Sequence, residues 1–277
     1  MIRVDAHHHV WQIARGDYRW LTQDLSIHRD YTLDDLRPLL GEISATVLVQ
    51  AADTAAETEF LLAIARQSSG LVRGVVGWAD LAHPDAPRRI ADLASDAMLK
   101  GLRPMLQDIP DTDWVLCPDI QPALKALVGA GLRFDALVQP RHLPVLLQLC
   151  SLHPTLPLVI DHGAKPDIAA GAWQPWADDI ARLARETPAC CKLSGLVTEA
   201  AQNWRTEDLR RYTDHLLECF GHDRLMWGSD WPVVDLAGGY ARWREASETL
   251  LTGISEPHRD AIFGGTAVKF YELKGTG

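Results

Sequence analysis

Short runs of β-branched and apolar residues recur along the chain, each followed by a longer stretch whose apolar positions return every three to four residues. The first kind has the length and composition of buried strands, and the second has the period of amphipathic helices. Eight strand-like runs can be counted, at residues 2–7, 45–50, 72–79, 99–105, 132–138, 156–161, 190–195 and 225–230. Helical patterns lie between them at 56–68, 88–97, 120–130, 143–153, 176–186 and 207–220. Such alternation is the mark of βα units on a parallel sheet, and eight units in 277 residues predict a (β/α)8 TIM barrel of the α/β class. No linker or low-complexity tract divides the chain, so residues 1–277 are expected to form a single domain. One connection departs from the pattern. The segment at about 10–35 holds Trp11, Tyr18, Trp20 and His28 and is too long for a simple connector. It is expected either to cover the barrel mouth or to pack on its rim.

In barrels of this class the chemistry stands at the C-terminal ends of the strands. There the sequence places His7 and His9 after the first run, Arg103 on the fourth, His162 after the sixth and Asp230 after the eighth. Alternation of side chains along a strand puts His7 and His9 on one face and His8 on the other. Three imidazoles and a carboxylate at one mouth suit a single divalent cation, with Zn²⁺ the natural occupant of an open site of this donor type. Taken singly, each residue has a plainer role available: His162 as a hydrogen-bonded strand-end histidine, Asp230 as a helix cap, Arg103 as a rim salt bridge. Their joint occurrence favours the metal or catalytic role. Trp20, His28, Trp78, Lys165 and Trp231 fall in or near strand-end loops and are candidate substrate contacts, with Gln107 and His142 behind them.

Composition narrows the partners. A formal net charge of −10 argues against nucleic acid and anionic membrane surfaces. No apolar stretch reaches the ~20 residues of a membrane span, and the start of the chain has no secretory pattern, so the cytoplasm is the expected compartment. Five cysteines without redox or zinc-finger spacing read as buried thiols. A small molecule is the expected partner, and oligomeric state is not legible.

These residues carry a resemblance to the amidohydrolase superfamily, in particular its lactonase branch of fuconolactonase-like and pyrone-dicarboxylate-lactonase-like enzymes. It rests on the segments Asp5-Ala-His-His-His-Val-Trp11, Lys100-Gly-Leu-Arg103, Asp161-His-Gly-Ala-Lys-Pro166, Lys192-Leu-Ser-Gly195, Gly228-Ser-Asp-Trp-Pro232 and Ala267-Val-Lys-Phe-Tyr271. The resemblance implies a hydrolase that opens a lactone with water, with Asp230 handling the proton. Thr266 stands where such families often carry Asn, no histidine ends the fifth strand, and Arg103 replaces the metal-bridging lysine of two-metal relatives. The resemblance therefore implies one metal or none. An acidic chain rich in tryptophan suits a neutral polyhydroxylated ring, an aldonolactone such as fuconolactone or rhamnonolactone, better than a dicarboxylate. Two other functions share the same residues: a metal-dependent decarboxylase of the superfamily, and a non-catalytic barrel that binds a sugar acid.

Overall fold

Each apolar run forms a strand in the computed structural model, which describes residues 2–274. The strands are β1 Val4–His8, β2 Ala45–Val49, β3 Val72–Gly77, β4 Leu99–Leu102, β5 Arg133–Ala136, β6 Leu158–Ile160, β7 Cys190–Leu193 and β8 Leu225–Trp227. They pair in parallel in the order of the sequence. Closure comes from the segment beyond β8, where the Asp230 N–H donates to the His7 carbonyl at 2.8 Å and the His9 N–H to the Trp231 carbonyl at 2.6 Å.

The helices are α1 Leu33–Leu36, α2 Ala55–Gln67, α3 Ala86–Leu93, α4 Gln121–Gly129, α5 Leu143–Leu152, α6 Trp176–Glu186, α7 Thr206–Arg224, α8 Tyr240–Leu250, α9 Glu256–Asp260 and α10 Thr266–Phe270. Local signals start them. Thr54, for example, caps α2 by accepting the Glu57 N–H at 3.1 Å, satisfying one of the donors a helix start leaves open. Among the described residues no helix is long and apolar enough to cross a membrane.

Apolar side chains divide between two sites. Leu48, Val75, Leu102, Phe134, Ile160 and Trp227 face the helices in the main core. Val4, Ala6, Val47, Val159 and Met226 fill a smaller cluster inside the barrel, joined by Tyr271 from the segment after α10. Above that plug the interior turns polar, and this polar layer positions the site. The observed strands stop short of several predicted ends because the chain stays buried where its backbone has already left the ladder: Asp230, at the predicted end of the eighth run, has φ 58°.

The segment between β1 and α1 is pinned rather than trailing. Trp11 and Tyr31 form an antiparallel bridge with both N–H···O distances at 3.0 Å. Trp11, Tyr18, Ile27 and Tyr31 are buried, and the Trp20 indole donates to the Ala51 carbonyl at 2.7 Å, beside the end of β2.

Candidate active site

A register shift between Asp5 and His8 in the β1–β2 pairing works as a bulge and re-aims the end of β1. His8 turns outward, with its Nε2 2.9 Å from Thr46 Oγ1, while His7 and His9 turn inward to meet Asp230. Asp5 ties this strand end to the turn after β8: its Oδ1 accepts the Ser229 N–H at 2.8 Å and the His7 N–H at 3.2 Å. Burial pushes the Asp5 carboxyl up to about 6.

The other two members stand on strained backbone. His162, Ala164, Lys165 and Asp230 all have φ between 51° and 62°, a region that costs a non-glycine residue about 1–3 kcal/mol. Such strain persists where the surroundings over-determine it, and here it aims two functional side chains into the barrel. Close approach then demands glycine nearby. A Cβ on Gly195, itself at φ 63°, would stand 2.5 Å from His162 Nδ1, and one on Gly228 would stand 2.6 Å from the His7 Cβ.

Asp230 Oδ1 is the point of convergence. It lies 3.3 Å from His9 Nε2, 3.7 Å from His7 Nε2 and 3.8 Å from His162 Nε2. His7 is sealed at 0% exposure, whereas His9, His162 and Asp230 keep 3–4%. A substrate can therefore touch the last three, and His7 acts from beneath them. Burial pushes the Asp230 carboxyl up, but the His162, His9 and His7 rings outweigh that and hold it below the usual carboxylate range. Burial lowers His162 to about 4 against the pull of Asp230 and Asp161. It also lowers His7, with the Lys192 charge adding to the effect. Burial thus disfavours the charged forms of His7 and His162, while their proximity favours the carboxylate form of Asp230.

The donor set fits a cation. A tetrahedral Zn²⁺ with bonds of ~2.0–2.1 Å keeps its donors ~3.3–3.4 Å apart, close to the spacings around Asp230. His9 supplies the chemical evidence. Its Nδ1 lies 2.8 Å from the Val49 carbonyl, which only accepts, so that nitrogen carries the proton and a neutral ring turns the Nε2 lone pair on the Asp230 oxygen. Two acceptors 3.3 Å apart call for a positive species between them, a cation or a proton. His162 Nδ1 pairs with Ser194 Oγ at 2.8 Å, a hydroxyl able to play either part. His7, His9 and Asp230 form one ligand-competent group and His7, Asp161 and His162 an overlapping one.

Three further groups in this layer escaped the sequence reading. Lys192 on β7 contacts Asp135 on β5 at 2.6 Å and Asp161 after β6 at 3.0 Å, all fully buried. Lys192 was part of a recognised segment and Asp161 was adjacent to His162, but neither was read as working. The available signal was period two: Lys192 shares its face with Cys190 of the interior cluster, so its charge had to point into the barrel.

The remaining predicted residues separate. Arg103, just past β4, is 3% exposed; its Nη1 donates to Asp161 Oδ2 at 3.2 Å, and its Nη2 donates to the Gln50 carbonyl and, at 2.9 Å, to Gln50 Oε1. It braces the layer at the mouth, with Nη1 3.4 Å from His7 Nε2. Trp231 is buried, packed edge-on against Tyr31. Trp20 and Trp78 line a cavity of about 330 Å³ with Trp114, Ala52, Met105 and Asp108. Lys165 lies in a second, polar cavity of about 490 Å³ with Gln107, Gln139, Arg141, Asp108 and Glu199, and is 3.7 Å from the Glu199 carboxylate. His28 is half-buried on the loop and lines neither cavity. Buried His142 follows β5 but pairs with its own turn, accepting the Gln139 N–H at 3.1 Å.

Known proteins share this fold over nearly the whole chain. A family model described as amidohydrolase matches residues 4–273. An L-fucono-1,5-lactonase from Burkholderia ambifaria is 44% identical, covering 98% of this chain and 96% of that protein. Another from Burkholderia multivorans is 36% identical with the same coverages. The crystal structure of an amidohydrolase from Burkholderia multivorans with bound zinc superposes with a TM-score of 0.93 at 36% identity, over 99% of this chain and 100% of that one.

Proposed function

The chain belongs to the amidohydrolase family, and from that premise we propose that it hydrolyses the ring ester of a sugar lactone, an aldono-1,5-lactone of the fuconolactone or rhamnonolactone kind. The observation that carries this is the convergence of His7, His9 and His162 on the Asp230 carboxylate at the C-terminal mouth. The lactonase similarity over nearly the full chain supports the substrate class.

Lactone opening needs a proton acceptor for the attacking water, positive character near the carbonyl and a proton for the departing ring oxygen. Asp230 is held ionised and touches solvent, so it takes the water proton and returns it to the leaving oxygen. His9 and His162 flank the same oxygen and orient what binds there. Lys192 lies beneath and supplies positive potential without touching substrate, and Arg103, as exposed as His162, adds its charge at the edge of the site. His9, His162 and Asp230, with His7, would hold one divalent cation, Zn²⁺ by donor type; bound there it would polarise the carbonyl and acidify water. The tryptophan cavity takes the apolar faces of the sugar ring through Trp20 and Trp78, with the packed loop before α1 as one wall, and Lys165 faces the polar side.

The test is acid release in weak buffer from a panel of aldonolactones and a pyrone dicarboxylate, on protein of measured metal content. Turnover of aldonolactones is expected. Failure to open any lactone would overturn the proposal.

A further inference from the structure

Lys192 has no solvent exposure, and its Nζ meets three groups: Asp135 Oδ2 at 2.6 Å, Asp161 Oδ1 at 3.0 Å and His7 Nδ1 at 3.1 Å. An ammonium has three N–H groups and no lone pair, so toward all three it is a donor. On the opposite side of the same imidazole, Arg103 Nη1 lies 3.4 Å from His7 Nε2, and a guanidinium also only donates. A neutral imidazole has a single acceptor nitrogen and cannot serve both. The Lys192 contact is the shorter, and the Arg103 N–H has Asp161 Oδ2 at 3.2 Å to receive it. The ring proton of His7 therefore belongs on Nε2, which faces Asp230 Oδ1 at 3.7 Å.

We infer that Lys192 is a positioning residue: by donating to Nδ1 it keeps the His7 proton on Nε2, aimed at the Asp230 carboxylate, and it must let go of Nδ1 before His7 can ligate a cation through Nε2. With a cation on Nε2 the proton sits on Nδ1 and turns to Asp161 Oδ1, 3.5 Å away. Lys192 thereby competes with metal for His7, while the contrasting His9, whose Nδ1 faces a carbonyl, is set for metal from the start.

The support beneath Lys192 fits a part that must not drift. Tyr271 donates to Asp135 Oδ2 at 2.5 Å from below. Gly101 leaves room for Asp135, since a Cβ there would stand 3.1 Å from Asp135 Oδ1 and 2.8 Å from the Arg133 carbonyl oxygen. Because His7 is sealed, its effect on the reaction passes through Asp230 or through a cation the two would share.

The inference does not depend on which substrate is turned over, and its first readout uses none. In metal-free protein labelled with ¹⁵N-histidine, the His7 signals, assigned by their loss in His7→Gln, should report the Nε2–H tautomer. Zinc titrated into the same sample should move that proton to Nδ1. Lys192→Met should shift the metal-free tautomer toward Nδ1–H and tighten zinc roughly tenfold, the scale on which groups behind a ligand tune a site. Lys192→Arg, which keeps a donor, should restore part of the wild-type tautomer. A wild-type ring with its proton on Nδ1 overturns the inference even if neither Lys192 variant folds. So does a folded Lys192→Met with unchanged tautomer and zinc affinity.

Discussion

The floor of the barrel mouth and the tryptophan cavity past the ends of β2 to β4 are built on opposite terms. The floor gathers His7, His9, His162 and Asp230 from three strand ends at 0–4% exposure, braced by Lys192, Asp161 and Arg103. The cavity over β2 to β4 is lined by loop residues, and Trp20 is 36% exposed. Chemistry in the first region depends on fractions of an ångström, whereas the second needs flat surface in the right place. Substitutions in the floor should therefore change the rate, and those in the cavity should change affinity.

The sharpest break would come at Asp230. Asp230→Asn keeps the shape and removes the proton acceptor, so kcat should fall by about 10²–10⁴ with the circular dichroism spectrum unchanged. A loss below tenfold would move the chemistry elsewhere. Gly228→Ala comes next, because its methyl would meet the His7 Cβ at 2.6 Å. Overpacking of that order costs about 1–3 kcal/mol in denaturant midpoint experiments and should lower kcat as His7 shifts. On the cavity side, Trp20→Ala and Trp78→Ala should raise KM about two- to tenfold with kcat nearly constant, the scale of an aromatic contact. A fall in kcat at unchanged KM would erase the division between the two regions.

The smallest effect concerns Glu57, under the cavity rim, whose carboxylate accepts the Ala51 and Ala52 N–H groups, the latter at 2.7 Å. Burial raises it from the ordinary 4.5 to about 7 against those donors, so the folded protein holds this proton more tightly than the unfolded chain. Its contribution to stability is full below the unfolded value and is lost as pH rises through about 7. Comparing denaturant midpoints at about pH 5 and about pH 8, Glu57→Gln should decline less than wild type. An equal decline would show that Glu57 does not carry the dependence.

The two regions were also unequally legible in the sequence. All eight strands and the four converging residues could be read, because burial periodicity and histidine spacing are local signals. The left-handed backbone at His162 and Asp230 could not, since nothing in an Asp-His-Gly or Ser-Asp-Trp string announces strain that distant packing enforces. The partner of Arg103 is hidden from the sequence for a related reason. A positive charge at a strand end looks the same whether it faces solvent or a buried Asp161, and only the fold reveals the partner. Loop position alone suggests Trp231 as a substrate contact, and in the fold it packs against Tyr31. Trp20 and Trp78 do share a cavity, but Trp114, its third tryptophan, sits on a turn that carried no strand-end signal.

Barrel closure has a consequence for how the protein comes into being. His9 and Asp230 are 221 positions apart, and the hydrogen bonds joining their segments are also the seam of the sheet. A ribosome emitting this chain delivers the histidine pair long before their carboxylate partner, so contacts of such long range form late. Until that seam closes, the histidine pair stands without its carboxylate.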